Sequence, residues 1–141
     1  MRLPRPGRRS RLLALMYGTA VFVWLSLEDV SVWPAAVFGT LLAILISVLV
    51  VLDKLGGRWI PAGRVPLLGI AGGAVAGLGS SVGIAALMFF KNARHAHLFP
   101  DYPAPQMLAV LERAPLWAIA GGLTGLSLGL GWLALRRTDD E

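Results

Sequence analysis

Four stretches of this 141-residue chain, 12–27, 35–52, 67–90 and 116–135, contain no Asp, Glu, Lys, Arg or His. They are 16, 18, 24 and 20 residues long. A helix needs about 20 apolar residues to cross about 30 Å of hydrocarbon. Lipid cannot hydrogen-bond exposed peptide groups, so helix is the backbone these stretches must adopt. The expected fold is therefore an all-α membrane protein of four transmembrane helices in a single domain. The first run is short, and Arg11 and Glu28 can snorkel at its ends. The third is long enough to tilt or protrude.

Local signals mark the boundaries. Ser31 is placed to cap the second helix, with Val32, Trp33 and Pro34 as its first turn. Pro66 and Pro115 each precede an apolar run, where the missing N–H costs nothing. Gly56 and Gly57 supply a stop after Asp53 and Lys54. No small-residue cleavage site follows the first run, so it reads as a retained anchor and not a removed signal.

The chain is 56% hydrophobic and 15% charged, against about 25% charged in soluble domains. Its net charge of +5 would suggest nucleic acid in a soluble protein. Here the positions of the basic residues argue for topology instead. Five lie in the N-terminal tail (Arg2, Arg5, Arg8, Arg9, Arg11), three in the 53–66 connection, and two follow the last run. Three lie in the 91–115 connection and none between the first and second runs. Ten against three puts both termini in the cytoplasm of a bacterial inner membrane. Trp24, Trp33 and Trp117 then fall toward the outer face, Trp59 and Trp132 toward the inner. The tail residues Arg5, Arg8, Arg9 and Arg11 have no interleaved aromatics, so their expected partner is anionic lipid and not nucleic acid.

Eleven of the 17 glycines lie in the third and fourth runs. Gly69, Gly73 and Gly77 recur every four residues, as do Gly121, Gly125 and Gly129, so each row makes one smooth helix face. Such faces let backbones approach closely, which is how helices associate where hydrophobicity offers no net drive. The rows serve either to pack the third helix on the fourth, or to receive another subunit or a flat ligand. Gly79 and Gly83 form a second, offset pair. The rows resemble those of glycine-zipper proteins and rotary-ring subunits in this one motif. A rotary subunit also needs a carboxylate in mid-membrane, and none of the four runs has one. Residues 66–73 and 115–122 match at six of eight positions, a faint internal repeat whose two helices run antiparallel.

Ionisable groups inside the bilayer mark pumps, coupled transporters and voltage sensors. Here the cores hold only hydroxyls, such as Tyr17, Thr19, Ser80, Ser81 and Thr124, expected to bond to their own helix backbone. There is no cysteine, and no Walker A loop, nucleophile elbow or HExxH motif. No cofactor and no metal is expected. His95 and His97 sit beyond the third run. On a helix they would point about 200° apart and could not chelate one ion. In an extended segment they share a face, and Asp101 could join them.

The long outer connection contains a short amphipathic helix over 104–113, with Met107, Leu108 and Leu111 on one side, lying on the membrane surface or against the protruding third helix. The expected outer-loop contacts are His95, His97, Phe99, Asp101, Tyr102, Met107 and Leu111. These features suggest a non-catalytic accessory or assembly subunit of a respiratory, photosynthetic or transport complex, packing through glycine faces and the outer loop. Its expected partners are the bilayer and other integral membrane subunits. A second reading is a homo-oligomeric, holin-like pore, for which Thr19 and Ser26, and Thr40 and Ser47, make a thin polar stripe. A third is an enzyme that takes a lipid substrate at His95, His97 and Asp101.

Overall fold

The computed structural model describes residues 7–28, 31–95 and 99–139, with backbone only for Arg9 and 137–139. Its helices are α1 (Arg8–Leu25), α2 (Val32–Leu55), α3 (Val65–His95), α4 (Ala104–Glu112) and α5 (Ala114–Asp139), with one 3₁₀ turn at Ala62–Arg64. Among the described residues there is no strand.

Three helices are long and apolar enough to cross a membrane: Val32–Leu55, Ala62–His95 and Ala114–Arg136. The first run yields a shorter apolar helix, Ser10–Leu25. It begins among basic residues and ends in the turn at Ser26, whose N–H bonds back to the Val23 carbonyl at 3.0 Å. At α2 the Ser31 hydroxyl accepts from the Trp33 N–H at 3.4 Å. The helix stops at Gly56, followed by Gly57 at φ 82°, a left-handed conformation that glycine adopts without a Cβ clash.

The long helix α3, about 46 Å at 1.5 Å per residue, is the axis on which the others pack. Along α5, a Cβ on Gly69, Gly73 or Gly77 would overlap the carbonyl of Gly125, Gly121 or Trp117 respectively. Reciprocally, Cβ atoms on Gly121 and Gly125 would overlap the Gly73 and Gly69 carbonyls. Gly129 closes the row, 2.9 Å from the Pro66 Cα measured from its ideal Cβ position. The two rows thus face each other within the chain, backbone against backbone. The matching segments 66–73 and 115–122 lie on the two sides of this seam, running antiparallel.

The offset pair receives α2. A Cβ on Gly83 would lie 2.8 Å from the Gly39 carbonyl oxygen, and one on Gly79 would lie 3.3 Å from the Ala43 Cβ. These two registers stagger α2 and α5 along α3. Gly39 abuts position 83, and α2 begins seven residues before it; Gly121 abuts position 73, and α5 begins seven residues before it. The two starts are therefore about ten residues, or about 15 Å, apart along the axis.

The short helix α4 fills that offset. Asp101 and Tyr102 are tied to His95 and Asn92 at the far end of α3. From there α4 runs back down α3 and hands over to α5 at Arg113, so α4 and α5 form one broken helix antiparallel to α3. Its orientation differs from the sequence expectation: Met107 and Val110 turn toward the core, whereas Leu108 and Leu111 face outward. Residues 107 and 110 are three apart and so share a helix face.

Helix α1 lies outside α2, and large side chains hold the two apart. The Tyr17 hydroxyl donates to the Phe38 carbonyl at 2.8 Å. Phe38 also meets the Trp24 ring at 5.4 Å between centroids. Trp24 is only 4% exposed. The sequence placed it in an interfacial belt, but Phe38 and α3 enclose it. Trp33 and Trp59, at 78% and 79% exposed, stand near the start and just past the end of α2, whereas Trp117, also expected at the outer face, lies against Gly77 near the middle of α3.

Candidate functional site

The chain's up-and-down course gathers two groups of charged and polar side chains at opposite ends of the bundle. At the lower end, where α1 starts and α5 finishes, lie Arg8, Arg11, Lys54, Arg58, Arg64 and Arg136, all exposed. Arg136 stacks over Trp132, 4.3 Å from the ring centroid. Of the expected lipid contacts, Arg8 and Arg11 are at this end. Arg5 and the side chain of Arg9 lie outside the described residues.

The buried polar chemistry is at the upper end, where α1, α2, α3 and α4 meet around Trp24, Ala35, Ile84, Leu87, Met88 and Tyr102. The last turns of α3 supply Lys91, Asn92, Arg94 and His95. Asn92 Nδ2 donates to the Tyr102 carbonyl at 2.6 Å, and the Tyr102 N–H donates to Asn92 Oδ1 at 2.9 Å. One amide side chain therefore satisfies both backbone groups of one loop residue, as a neighbouring strand would. The Tyr102 hydroxyl donates to the Ser31 carbonyl at 2.7 Å, which ties the start of α4 to the cap of α2. His95 Nδ1 and Asp101 Oδ2 are 2.6 Å apart, with side chains 12% and 11% exposed.

Two cations at this end rest on aromatic rings of α1. Lys91 is fully buried, its ammonium 4.6 Å from the Trp24 ring centroid. The Arg94 guanidinium lies 5.2 Å from the Phe22 ring and donates to Ser26 Oγ at 3.1 Å. An ammonium over an aromatic face is attracted by the ring quadrupole, most strongly where water is excluded.

The expected contact residues divide. His95 and Asp101 are largely enclosed, and Tyr102 is fully buried. Met107 is partly buried against the core. Phe99, 80% exposed, and Leu111, 39% exposed, remain on the surface. His97 lies outside the described residues. Helix α3 ends at His95, and among the described residues no three His, Asp or Glu side chains come together to hold a metal ion.

The sequence reading missed Lys91, Asn92 and Trp24 as members of one cluster. Lys91 directly follows an apolar run and looks like an ordinary boundary residue, and Trp24 lies near the end of another as one more apolar side chain. Asn92 carried no signal beyond being polar.

The hydroxyls of the apolar helices bond as expected in five cases. Thr19, Ser26, Ser80, Thr124 and Ser127 donate to the carbonyl four residues earlier, at 2.8 to 3.0 Å. Ser81 does not. Its side chain is fully buried and its Oγ has no hydrogen-bond partner. Trp24 Nε1 is likewise buried and unpartnered.

Compared with family models, curated proteins and solved structures, this chain matches none.

Proposed function

We propose that the chain is a four-helix bacterial inner-membrane protein with both termini in the cytoplasm, acting as a non-catalytic accessory or assembly subunit of a larger complex. The carrying observation is where its polar groups point. At the upper end Asn92, Asp101 and the Tyr102 hydroxyl bond to side chains or backbone of the same cluster. That is the arrangement of a clamp. Four spans are supported by α1 running beside α2, with Tyr17 bonded to the Phe38 carbonyl. The apolar part of α1, Ser10–Leu25, is about 24 Å long, short of about 30 Å of hydrocarbon, and Arg11 can snorkel at its end. The orientation is supported by the six exposed basic residues at the lower end.

The glycine rows are filled from within the chain, so the surface offered to a neighbouring subunit narrows to the upper rim. There Phe99 and Trp33 are 80% and 78% exposed. Extraction in mild detergent followed by native electrophoresis tests this reading. We expect migration well above the 15.0 kDa of one chain, and Phe99→Ala should weaken the association. A free monomer under every extraction condition would sink the proposal. Conductance in planar bilayers would replace it with the pore reading.

A further inference from the structure

The polar boundaries of the packed helices do not lie level. Gly77 and Gly79 are two residues apart and so point about 200° apart around α3, which sets α5 and α2 on opposite sides of it. Along α5 the pairings Gly69–Gly125, Gly73–Gly121 and Gly77–Trp117 extend to position 81 of α3 opposite Arg113. Along α2 the pairings Gly79–Ala43 and Gly83–Gly39 extend to position 91 opposite Ser31. The upper polar boundary of α5 therefore lies ten residues, or about 15 Å, below that of α2. The lower boundaries differ by the same amount in the same direction. Lys54 is level with position 68 of α3 and so with Leu126 of α5, ten residues short of Arg136. Helix α1 continues the slope beyond α2. Its Trp24 lies under Lys91, so Arg11, thirteen residues earlier, is level with position 78.

Standing upright in a bilayer, this row of helices meets a conflict at each end. Glu112 and Arg113, both exposed, would be held level with Leu41, nine residues or about 14 Å inside α2. Charge at that depth is strongly disfavoured. Below the end of α2, α5 would present Leu128, Leu130 and Leu135, 70%, 51% and 70% exposed, to water. A lean of the whole row removes both conflicts. Helix axes pack about 8–10 Å apart, so boundaries offset by about 15 Å across two successive pairs come level at a tilt of about 40°. The length of α3 gives the same angle. Its charge-free stretch, 65–90, is about 39 Å long and covers about 30 Å of hydrocarbon when inclined by about 40°, the upper end of observed tilts. Trp117 then falls at the outer interface, where tryptophan is favoured. Lys54 and Arg136 complete the shorter runs of α2 and α5 by snorkelling.

We propose that the row of α2, α3 and α5 sits in the bilayer inclined by about 40°, with hydrocarbon of the lower leaflet covering the exposed end of α5 and the α4–α5 break at the opposite surface. The partner of Leu128, Leu130 and Leu135 is lipid, because Arg136 closes that surface as Lys54 closes α2. The proposal rests on the membrane reading of α2, α3 and α5, but not on the orientation or the accessory-subunit role.

The test is the accessibility of single cysteines placed in the full chain, which has none of its own. Two pairs share a level along α3: Leu41→Cys with Arg113→Cys, and Arg64→Cys with Leu130→Cys. Each variant, in right-side-out and in inverted vesicles, is treated with a membrane-impermeant maleimide. Maleimide takes the thiolate, which hydrocarbon excludes, so a buried position should react slower by about tenfold or more. We expect Arg113→Cys to outpace Leu41→Cys from one side, and Arg64→Cys to outpace Leu130→Cys from the other. In denaturing detergent all four rates should converge. Glu112→Cys and Leu128→Cys repeat the comparison where Arg113→Cys or Leu130→Cys does not fold.

Equal rates within each pair, slow at Arg113→Cys and fast at Leu130→Cys, would overturn the proposal and seat the row upright. Protection of Leu130→Cys that disappears in lipid nanodiscs holding one chain would overturn it as well, since a protein neighbour would then cover α5. Fast labelling of all four positions in intact membranes would overturn it together with the membrane reading itself. Labelling with the two sides exchanged would support the inclination while reversing the orientation.

Discussion

The seam between α3 and α5 and the cluster at the upper end hold helices together by opposite means. In the seam the side chains are absent, and Gly69, Gly73 and Gly77 let two backbones touch over about two turns. In the cluster the side chains are large, and Tyr17, Trp24 and Phe38 keep α1 at arm's length from α2 while polar groups tie down α4. Lipid tails are as apolar as leucine, so helices gain little by hiding leucines from them. Close backbone contact works in that solvent because it adds dispersion attraction at little rotamer cost. Buried hydrogen bonds work because a broken one leaves an unsatisfied group with no water to replace the partner. The seam is therefore intolerant of volume, and the cluster is intolerant of lost partners.

The sharpest way to break the comparison is at the centre of the seam. Gly73→Leu places a branched side chain where even a Cβ would overlap the Gly121 carbonyl. The helices must separate, and we expect a loss of about 3 kcal/mol or more, the upper range for overpacking. Thermal unfolding in detergent reads it.

The second prediction concerns the cluster. Asn92→Ala removes both hydrogen bonds to the Tyr102 backbone while leaving volume to spare. We expect a loss of about 2 kcal/mol, since two buried backbone groups are orphaned together. The effect should be local, with faster hydrogen exchange across α4 and unchanged exchange in the α3–α5 seam. Uniform acceleration throughout would contradict the division between the two regions.

The His95–Asp101 pair should matter less, because each side chain keeps some contact with solvent. Asp101→Asn and His95→Gln should each cost about 1 kcal/mol, and a double-mutant cycle should return a coupling of similar size. A coupling near zero would mean that the Asn92 and Tyr102 hydrogen bonds anchor the loop without this pair.

How much of this was legible beforehand follows from the same contrast. The apolar runs and the caps of α2 are local signals, and 35–52, 67–90 and 116–135 each lie inside a helix long enough to span. The spacing of the glycine rows revealed which face was smooth. It could not reveal the register, because a row repeating every four residues fits a partner equally well one turn up or down. The stagger of α2 against α5 followed only from the observed pairings. Helix α4 was misjudged for a related reason: most of its residues are apolar, so Met107 and Leu108 look alike and the pattern does not orient them. Tyr102 sits in a connection, and nothing local distinguishes a buried loop tyrosine from an exposed one.

The smallest expected effect is the most discriminating, because it concerns the residue beside the most damaging one. Gly72 and Gly73 are neighbours in sequence and both lie in α3, yet an ideal Cβ at Gly72 meets nothing within 4 Å. Helix propensity alone favours alanine over glycine by about 1 kcal/mol. Gly72→Ala should therefore be neutral or stabilising by up to about that amount, whereas Gly73→Ala should be clearly destabilising. Gly18 on α1, also without a neighbour within 4 Å, should follow Gly72. Melting temperatures of the three alanine variants in one detergent suffice as the measurement. If Gly72→Ala proved as damaging as Gly73→Ala, something outside this chain would have to approach that side of α3. A glycine face would then be in use by a neighbour after all.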